Sequence, residues 1–391
     1  MADRDMTRRG FLTTAGTGLL AAAANGAVPL APPDAQPPGL KVPPGESRKL
    51  GWAIVGLGQL SLEEILPAFG LSWHARPVAL VSGHPEKAQK VAEFYGVDRK
   101  RLYSYADFDR IKDDPAIDVV YVVLPNHLHA EYTVRALRAG KHVLCEKPMA
   151  ATVTEARQMV EAAKGSGKKL GIAYRMQYEP FNRKAIDVLR SGELGKIQTI
   201  EAQNMQVTEA PNIRLSRQTA GGPLGDVGLY CLNAARYLTG EEPAEATGMA
   251  HKPTDVERFA EVPASVTFQL RFPSGALAVN TCGFDAHESR QYRVVCQKGW
   301  IELDNAFAYR GQRMRVAKGK EVAEQQIVPV NHFASEMDNF SDAVIQNQPV
   351  RTPGEEGLRD MVCMHWIDEA ARTGRAVKIV DDVPNADKRR E

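Results

Sequence analysis

The chain has 391 residues, of which 43% are hydrophobic and 25% charged, and its formal net charge is +1. This length suits two domains, and the composition is that of an ordinary globular protein. The near-neutral balance gives no reason to expect nucleic acid or an anionic membrane as partner, and it suits a small neutral substrate.

The N-terminus reads Thr7-Arg8-Arg9-Gly10-Phe11-Leu12, followed by an apolar, small-residue run from Leu19 to Val28. A twin arginine before a weakly hydrophobic segment predicts a Tat export signal over residues 1–27, with cleavage after Ala24 or Ala27, and hence a periplasmic protein. The run is too short to span a bilayer, so no membrane anchor is expected. Residues 28–48 carry seven prolines, Pro29, Pro32, Pro33, Pro37, Pro38, Pro43 and Pro44. Such a stretch favours extended polyproline geometry. It is either a plain linker or an arm laid on a neighbouring subunit. Five scattered cysteines without C-x-x-C spacing imply neither a disulfide framework nor a zinc site, as expected of a protein folded in the cytosol before export.

From Trp52 to Pro148 strands and helices alternate, which predicts a doubly wound parallel sheet in a domain spanning 49–170. Trp52-Ala53-Ile54-Val55 is a strand that runs into Gly56-Leu57-Gly58-Gln59-Leu60-Ser61 and a helix to Phe69. Gly56 permits the tight turn, and Gly58 lets a pyrophosphate approach the backbone at the helix N-terminus. Ser61 stands where the dinucleotide fingerprint has its third glycine. The second strand, Val78–Val81, ends at Ser82 and Gly83 with Lys87 soon after. No carboxylate is there to bind a ribose 2′-hydroxyl, and Ser82 and Lys87 suit a 2′-phosphate, so NADP is favoured over NAD. The alternative is that Lys87 is only a solvated helix charge.

The apolar strand Val119–Leu124 ends at Pro125-Asn126-His127-Leu128-His129. Two histidines at a strand's carboxyl edge suggest metal, but no third ligand accompanies them. Cofactor or substrate contact is the better reading, and no metal is expected. The strand His142-Val143-Leu144-Cys145 stops at Glu146-Lys147-Pro148, because proline cannot continue a central strand. Lys147 therefore stands at the carboxyl edge of the sheet, where open α/β folds bind ligands. It is a proton donor, an electrostatic clamp or an exposed charge.

A helix over 152–167 and a strand from Leu170 to Tyr174 lead to Arg175. The pattern then changes to long alternating segments, Ile197–Gln206, Ser265–Phe272, Ala276–Cys282, Tyr292–Cys296 and Trp300–Asp304, with hairpin signals at 273–275 and 298–299. This predicts a second, α+β domain over 171–391 with a large, mainly antiparallel open sheet, serving substrate binding and oligomerisation. Residues 354–373 read as a helix. Within this domain Gly221-Gly222-Pro223-Leu224-Gly225-Asp226 opens another helix, continued by Val227 to Leu238. Asp226 and Tyr230 are four apart and share one face. Alone, Tyr230 is equally a core aromatic and Asp226 an N-cap.

Together, the G-L-G turn, Pro-Asn-His-Leu-His, Cys-Glu-Lys-Pro and the G-G-x-L-x-D-x-G-x-Y helix resemble the glucose–fructose oxidoreductase / inositol dehydrogenase (Gfo/Idh/MocA) family. The resemblance covers everything after the proline-rich stretch. Many members carry His where this chain has Tyr230. Tyr230, the export signal, Ser82 with Lys87, and Tyr174-Arg175-Met176-Gln177-Tyr178-Glu179-Pro180 are similar to the periplasmic glucose–fructose and aldose–aldose oxidoreductases. The resemblance implies NADP retained between half-reactions, sugar substrates, and a homo-oligomer (dimer or tetramer) whose arm covers a neighbour's cofactor. It implies cofactor contacts from Gly56, Gly58, Gln59, Leu60, Ser82, Gly83, Lys87, Leu124, Pro125, Asn126, His129, Glu146, Lys147 and Arg175. The chemistry expected is oxidation of an aldose at C1 to an aldonolactone, then reduction of a second sugar to an alditol. Tyr230 is the expected proton carrier, with the Lys147 ammonium favouring its phenolate and Asp226 orienting Lys147 or a sugar hydroxyl. Lys147 as the carrier itself remains the alternative. The other activities open are an NADP-dependent sugar dehydrogenase with exchangeable cofactor, another chemistry of the same family, and a non-catalytic NADP-binding sensor.

Overall fold

The computed structural model describes residues 49–254 and 256–384. The expected signal peptide and proline-rich arm lie outside the described residues. Uniformly apolar segments make the first sheet. β1 (Leu50–Val55), β2 (Ala75–Val81), β3 (Leu102–Tyr103), β4 (Val119–Val122), β5 (His142–Cys145) and β6 (Leu170–Ile172) pair in the order β3-β2-β1-β4-β5-β6. Every neighbour is parallel. Strand order reverses between β1 and β4, so their carboxyl ends flank the crevice of a doubly wound sheet. Helices α1 (Pro85–Tyr95), α2 (His129–Arg138) and α3 (Val153–Ser166) cross over between strands. Thr152 and Glu155 form a capping box that starts α3.

After β6 comes α4 (Pro180–Arg190), whose start was not read from the sequence. The signal was there: Glu179 caps the helix through Phe181 and Asn182 N–H, with Pro180 in the first turn. The second sheet has nine strands. They are β7 (Ile197–Val207), β8 (Glu245–His251), β9 (Ser265–Arg271), β10 (Leu277–Gly283), β11 (Asp285–Cys296), β12 (Gly299–Asp304), β13 (Arg313–Lys318), β14 (Glu321–Glu324) and β15 (Val377–Lys378). They pair in the order β14-β13-β12-β11-β7-β10-β9-β8-β15. All neighbours are antiparallel except β10 and β7. One face packs on α5 (Leu229–Thr239) and α7 (Gly354–Thr373), which puts Phe268, Leu270, Ala278 and Cys282 in the core beside Leu232 and Ile367.

Two features cross the boundary drawn at residue 170. β6 spans it, and α6 (His332–Ile345) returns to cover the parallel sheet. Trp52 of β1 packs edge-on against Phe69, Tyr121 and Phe340, at centroid distances of 6.1, 6.0 and 5.7 Å. Its indole N–H donates to Ser341 of α6. Burial of this aromatic cluster fixes α6, and with it Glu336 and His332, beneath the crevice. All five cysteines are buried and free. Among the described residues no helix is long and apolar enough to cross a membrane, and no group of three or more His, Cys, Asp or Glu is placed to hold a metal.

Candidate active site

The G-L-G turn takes the form its residues dictate. Gly56 has φ of +98°, and a Cβ there would lie 2.1 Å from the Val123 carbonyl, so only glycine fits between β1 and β4. Ser61 is buried and its hydroxyl donates to the Gly56 carbonyl at 2.6 Å, closing the loop where a third glycine was expected. Gly58 and Gln59 are exposed, with open space over Gly58, at the entry to a π-helical turn, Ser61–Ile65, that continues as Leu66–Ala68. Lys87 Nζ reaches the Leu57 carbonyl at 3.3 Å, which carries its charge across the face of this loop. Ser82 and Gly83 stand at the carboxyl end of β2, and the Ser82 hydroxyl accepts from His84 N–H. Backbone room, a helix N-terminus and a cation thus converge where a dinucleotide phosphate would sit.

Two expected cofactor contacts are turned inward instead. His129 is 1% exposed, and its two ring nitrogens face the Pro148 and Leu124 carbonyls, both at 2.8 Å. Burial lowers its pKa to about 4 despite those carbonyls. A neutral imidazole carries a single N–H, so His129 donates to one of these carbonyls, just past β4 or β5, and packs against the other. Arg175 is equally committed: Nη2 donates to the Phe307 carbonyl, and Nη1 approaches the Ala308 carbonyl and His332 Nδ1. Burial lowers the His332 pKa to about 3, assisted by Arg175, so the imidazole is a neutral acceptor. Asn126 donates its amide to the Ala220 carbonyl at 2.9 Å, tying the first domain to the second. Leu124 and Pro125 are half-buried just after the end of β4.

Glu146 accepts a hydrogen bond from Tyr121 at 2.9 Å, and its other oxygen receives only the 3.3 Å bond from Lys147 N–H. Burial holds its pKa above the usual carboxylate range, although Lys147 opposes this. Behind it lies Glu336, fully buried, and burial raises its pKa well above the usual carboxylate range.

At the carboxyl edge of β5 the chain turns through the cis Lys147–Pro148 bond. Lys147 Nζ donates to the Asp226 carbonyl at 2.9 Å and to Asp226 Oδ1 at 3.1 Å. Burial disfavours its charge, but Tyr230, Asp226 and Glu146 more than offset this, and its pKa is raised. Asp226 is pushed up by burial but pulled down further by Lys147 and Arg214, to about 2. Its Oδ2 accepts from Arg214 Nε at 2.7 Å. Asp226 lies in a π-helical turn, Leu224–Gly228, and Tyr230 in the first turn of α5, so the four-residue spacing still brings both to Lys147. Two cations lie over the Tyr230 ring: Lys147 Nζ is 4.7 Å from its centroid and Arg175 Cζ 5.0 Å. Sequence reasoning missed Arg214 and Tyr309. Tyr309 stacks on Arg175 at 4.6 Å, and burial together with Tyr230 pushes its hydroxyl up to about 12. Neither residue sits in a motif, so spacing held no signal for them.

A dinucleotide cradle beside a Lys–Asp–Tyr cluster defines the chain as a nucleotide-dependent oxidoreductase of the two-domain kind. Residues 50–174 match the oxidoreductase family with an NAD-binding Rossmann fold, and residues 182–302 match the GFO/IDH/MocA C-terminal domain. The chain is 43% identical to the aldose–aldose oxidoreductase of Caulobacter crescentus, solved with glycerol. That likeness has a TM-score of 0.83 and covers 85% of this chain and all of that one. It is 29% identical over 336 residues to the NADP-dependent D-xylose 1-dehydrogenase of Haloarcula marismortui, covering 84% of this chain and 92% of that one. It is 27% identical to the 1,5-anhydro-D-fructose reductase of Ensifer adhaerens, with 84% and 98% covered. The chain belongs to the Gfo/Idh/MocA oxidoreductase family.

Proposed function

We propose that this NADP-dependent sugar oxidoreductase oxidises an aldose at C1 to an aldonolactone and passes the hydride to a second sugar, giving an alditol, in the periplasm. The observation that carries the reading is Tyr230 flanked by Lys147 and Arg175, with Asp226 beside them. Gly56, Gly58 and the helix after them would hold the pyrophosphate, and Ser82 and Lys87 the 2′-phosphate. NADP, when bound, accepts and returns the hydride.

Alcohol oxidation needs an acceptor for the hydroxyl proton, and carbonyl reduction needs a donor. Lys147 is held as an ammonium by two Asp226 oxygens, so it has no lone pair to accept with. Tyr230 takes the proton in the first half-reaction and returns it to the carbonyl oxygen in the second. Lys147 and Arg175 stabilise the oxygen while it is anionic. Tyr309, protonated, is a neutral hydrogen-bond donor at the same rim. Export rests on Thr7-Arg8-Arg9-Gly10-Phe11-Leu12, and the two-sugar reaction on the likeness to the aldose–aldose oxidoreductase.

The test is spectrophotometric. Purified protein, dialysed extensively, is titrated with aldoses while absorbance at about 340 nm reports reduction of retained cofactor. The expected result is a rise with one aldose and its reversal by a second sugar, without added nucleotide. A rise that requires added NADP identifies a dehydrogenase with exchangeable cofactor instead.

A further inference from the structure

Arg214 is held with unusual care for a half-exposed residue. It belongs to the segment between β7 and the Asp226 turn. Its N–H donates to Asn212 Oδ1 at 3.0 Å, and its carbonyl accepts from Gly222 N–H at 2.9 Å. A Cβ on Gly221 would come within 2.4 Å of that same carbonyl, so the chain must be glycine there to close over Arg214. The neighbouring Ala220 adopts φ of +58°, and its carbonyl takes the Asn126 amide from the first domain. On the other side, the Ser216 hydroxyl and the Arg217 N–H both donate to Glu261 Oε2, at 2.9 and 2.8 Å. The segment is therefore fastened to both domains, and Arg214 is placed before any ligand arrives.

Its side chain uses one of its three nitrogens. Nε bonds Asp226 Oδ2 at 2.7 Å, while 47% of the side chain stays exposed, and no hydrogen bond is recorded to either Nη among the described residues. Asp226 does not need this second cation, because Lys147 already neutralises it at 3.1 Å. Asp226 bridges Arg214 at Oδ2 and Lys147 at Oδ1, and Lys147 Nζ lies 4.7 Å from the Tyr230 ring centroid, so one carboxylate ties the Arg214 guanidinium to the Lys147–Tyr230 cluster. A planar fork with free parallel donors, held by its Nε, is built to take two oxygens at once.

We infer that Arg214 is a specificity-determining residue that grips two hydroxyl oxygens on adjacent carbons of the sugar, setting its C1 over Tyr230. The inference rests on the sugar reading above and names the part of the sugar that is recognised. Lys147 and Tyr230 handle the reacting carbon. Arg214 and the carboxylate it holds read the carbons beyond it, Nη1 and Nη2 donating and Asp226 accepting.

The test measures sugar affinity by calorimetry on the protein with its retained cofactor, for D-glucose, D-xylose and the monodeoxy glucoses. Arg214→Met should weaken the preferred parent sugar about tenfold or more, as expected for hydrogen bonds from a charged group. The same substitution should change affinity for two deoxy sugars lacking neighbouring hydroxyls by less than about threefold. Arg214→Lys should recover only part of the loss, since an ammonium does not bridge two oxygens as a fork does. Equal weakening for every sugar, no weakening at all, or full recovery by lysine overturns the proposal, as does wild-type protein that binds neither parent sugar. Should Arg214→Met fail to fold, the Arg214→Lys profile across the deoxy series decides the same question. Absorbance of the cofactor is followed in parallel: sugar binding without reduction sinks the two-sugar reading while leaving the Arg214 comparison decided.

Discussion

Lys147 Nζ sits over the face of Tyr230, 4.7 Å from the ring centroid, and is fixed there by two oxygens of Asp226. This arrangement separates two roles that the sequence left joined. A lysine that carries protons needs to lose one readily. Lys147 has a raised pKa because Tyr230, Asp226 and Glu146 overcome its burial. A raised pKa suits an electrostatic partner, which favours the proposal that Tyr230 moves the proton.

Tyr230→Phe keeps the ring, its packing on Phe307 and its contacts with both cations, and removes only the oxygen. Retained cofactor should be unchanged. Turnover should fall by about 10²- to 10⁴-fold, the usual contribution of a positioned acid–base group. The measurement is single-turnover reduction of bound cofactor by the preferred aldose. A rate within a few-fold of wild type would falsify the role given to Tyr230.

Lys147→Met removes the ammonium but keeps a long apolar stem. Asp226 then keeps its ion pair with Arg214. Oxidation should slow by about tenfold or more in single-turnover reduction of bound cofactor, because no ammonium remains beside the Tyr230 ring to offset charge developing during proton transfer. A rate within a few-fold of wild type would mean that Lys147 only positions groups.

The parallel sheet and the Lys147, Asp226 and Tyr230 positions were legible because their signals are local. Uniformly apolar strands, a proline after Lys147 and a four-residue spacing can each be read from a short window. What was not legible depends on distant partners. Arg175 was expected at the cofactor, but its acceptors are the carbonyls of Phe307 and Ala308, more than 130 residues on. His129 carries the polarity of a ligand contact, and only the fold reveals that two backbone carbonyls occupy it. α6 covers the parallel sheet although it follows the whole antiparallel one, and no periodicity marks which sheet a helix joins. β8 alternates poorly because its outer half is exposed, and β13 is half charged, so neither carried a strong two-residue pattern.

Asp226 supplies a pH dependence with a definite sign. Its folded pKa, about 2, is below the unfolded value of about 3.9. The carboxylate therefore contributes stability that is complete above about pH 4 and is lost as pH falls toward 2. Denaturant unfolding of wild type and Asp226→Asn between pH 7 and pH 3 should show a constant gap at the upper end that narrows only below about pH 4. A gap already closing near pH 6 would point to another group. Any acid limb in turnover above pH 5 must likewise come from elsewhere.

Lys87 tests the cofactor assignment separately from the chemistry. Its ammonium reaches over the Leu57 carbonyl beside Ser82 and Gly83. Lys87→Met should weaken NADP by about tenfold, the scale of one charge-assisted contact to phosphate, and leave NAD affinity nearly unchanged. Equilibrium binding of both nucleotides to protein stripped of cofactor measures this. Equal weakening of both would assign Lys87 to the shape of the loop and not to a 2′-phosphate.

The helix that carries Tyr230 is anchored by charge at its far end. Arg236 of α5 has a side chain only 3% exposed and donates to Asp360 of α7 at 2.6 Å and to Glu242 and Glu356. Asn233, one turn before it, also donates to Asp360. Arg236→Met removes the cation shared by three carboxylates, and of these Asp360 is buried and would be left charged beside the Asn233 amide. Arg236→Met should destabilise the protein by about 3–5 kcal/mol in denaturant unfolding. Asp360→Ala should cost less, because Glu242 and Glu356 still hold the guanidinium. Equal losses for the two variants would show that packing of α5 on α7, and not the buried charge, sets the cost.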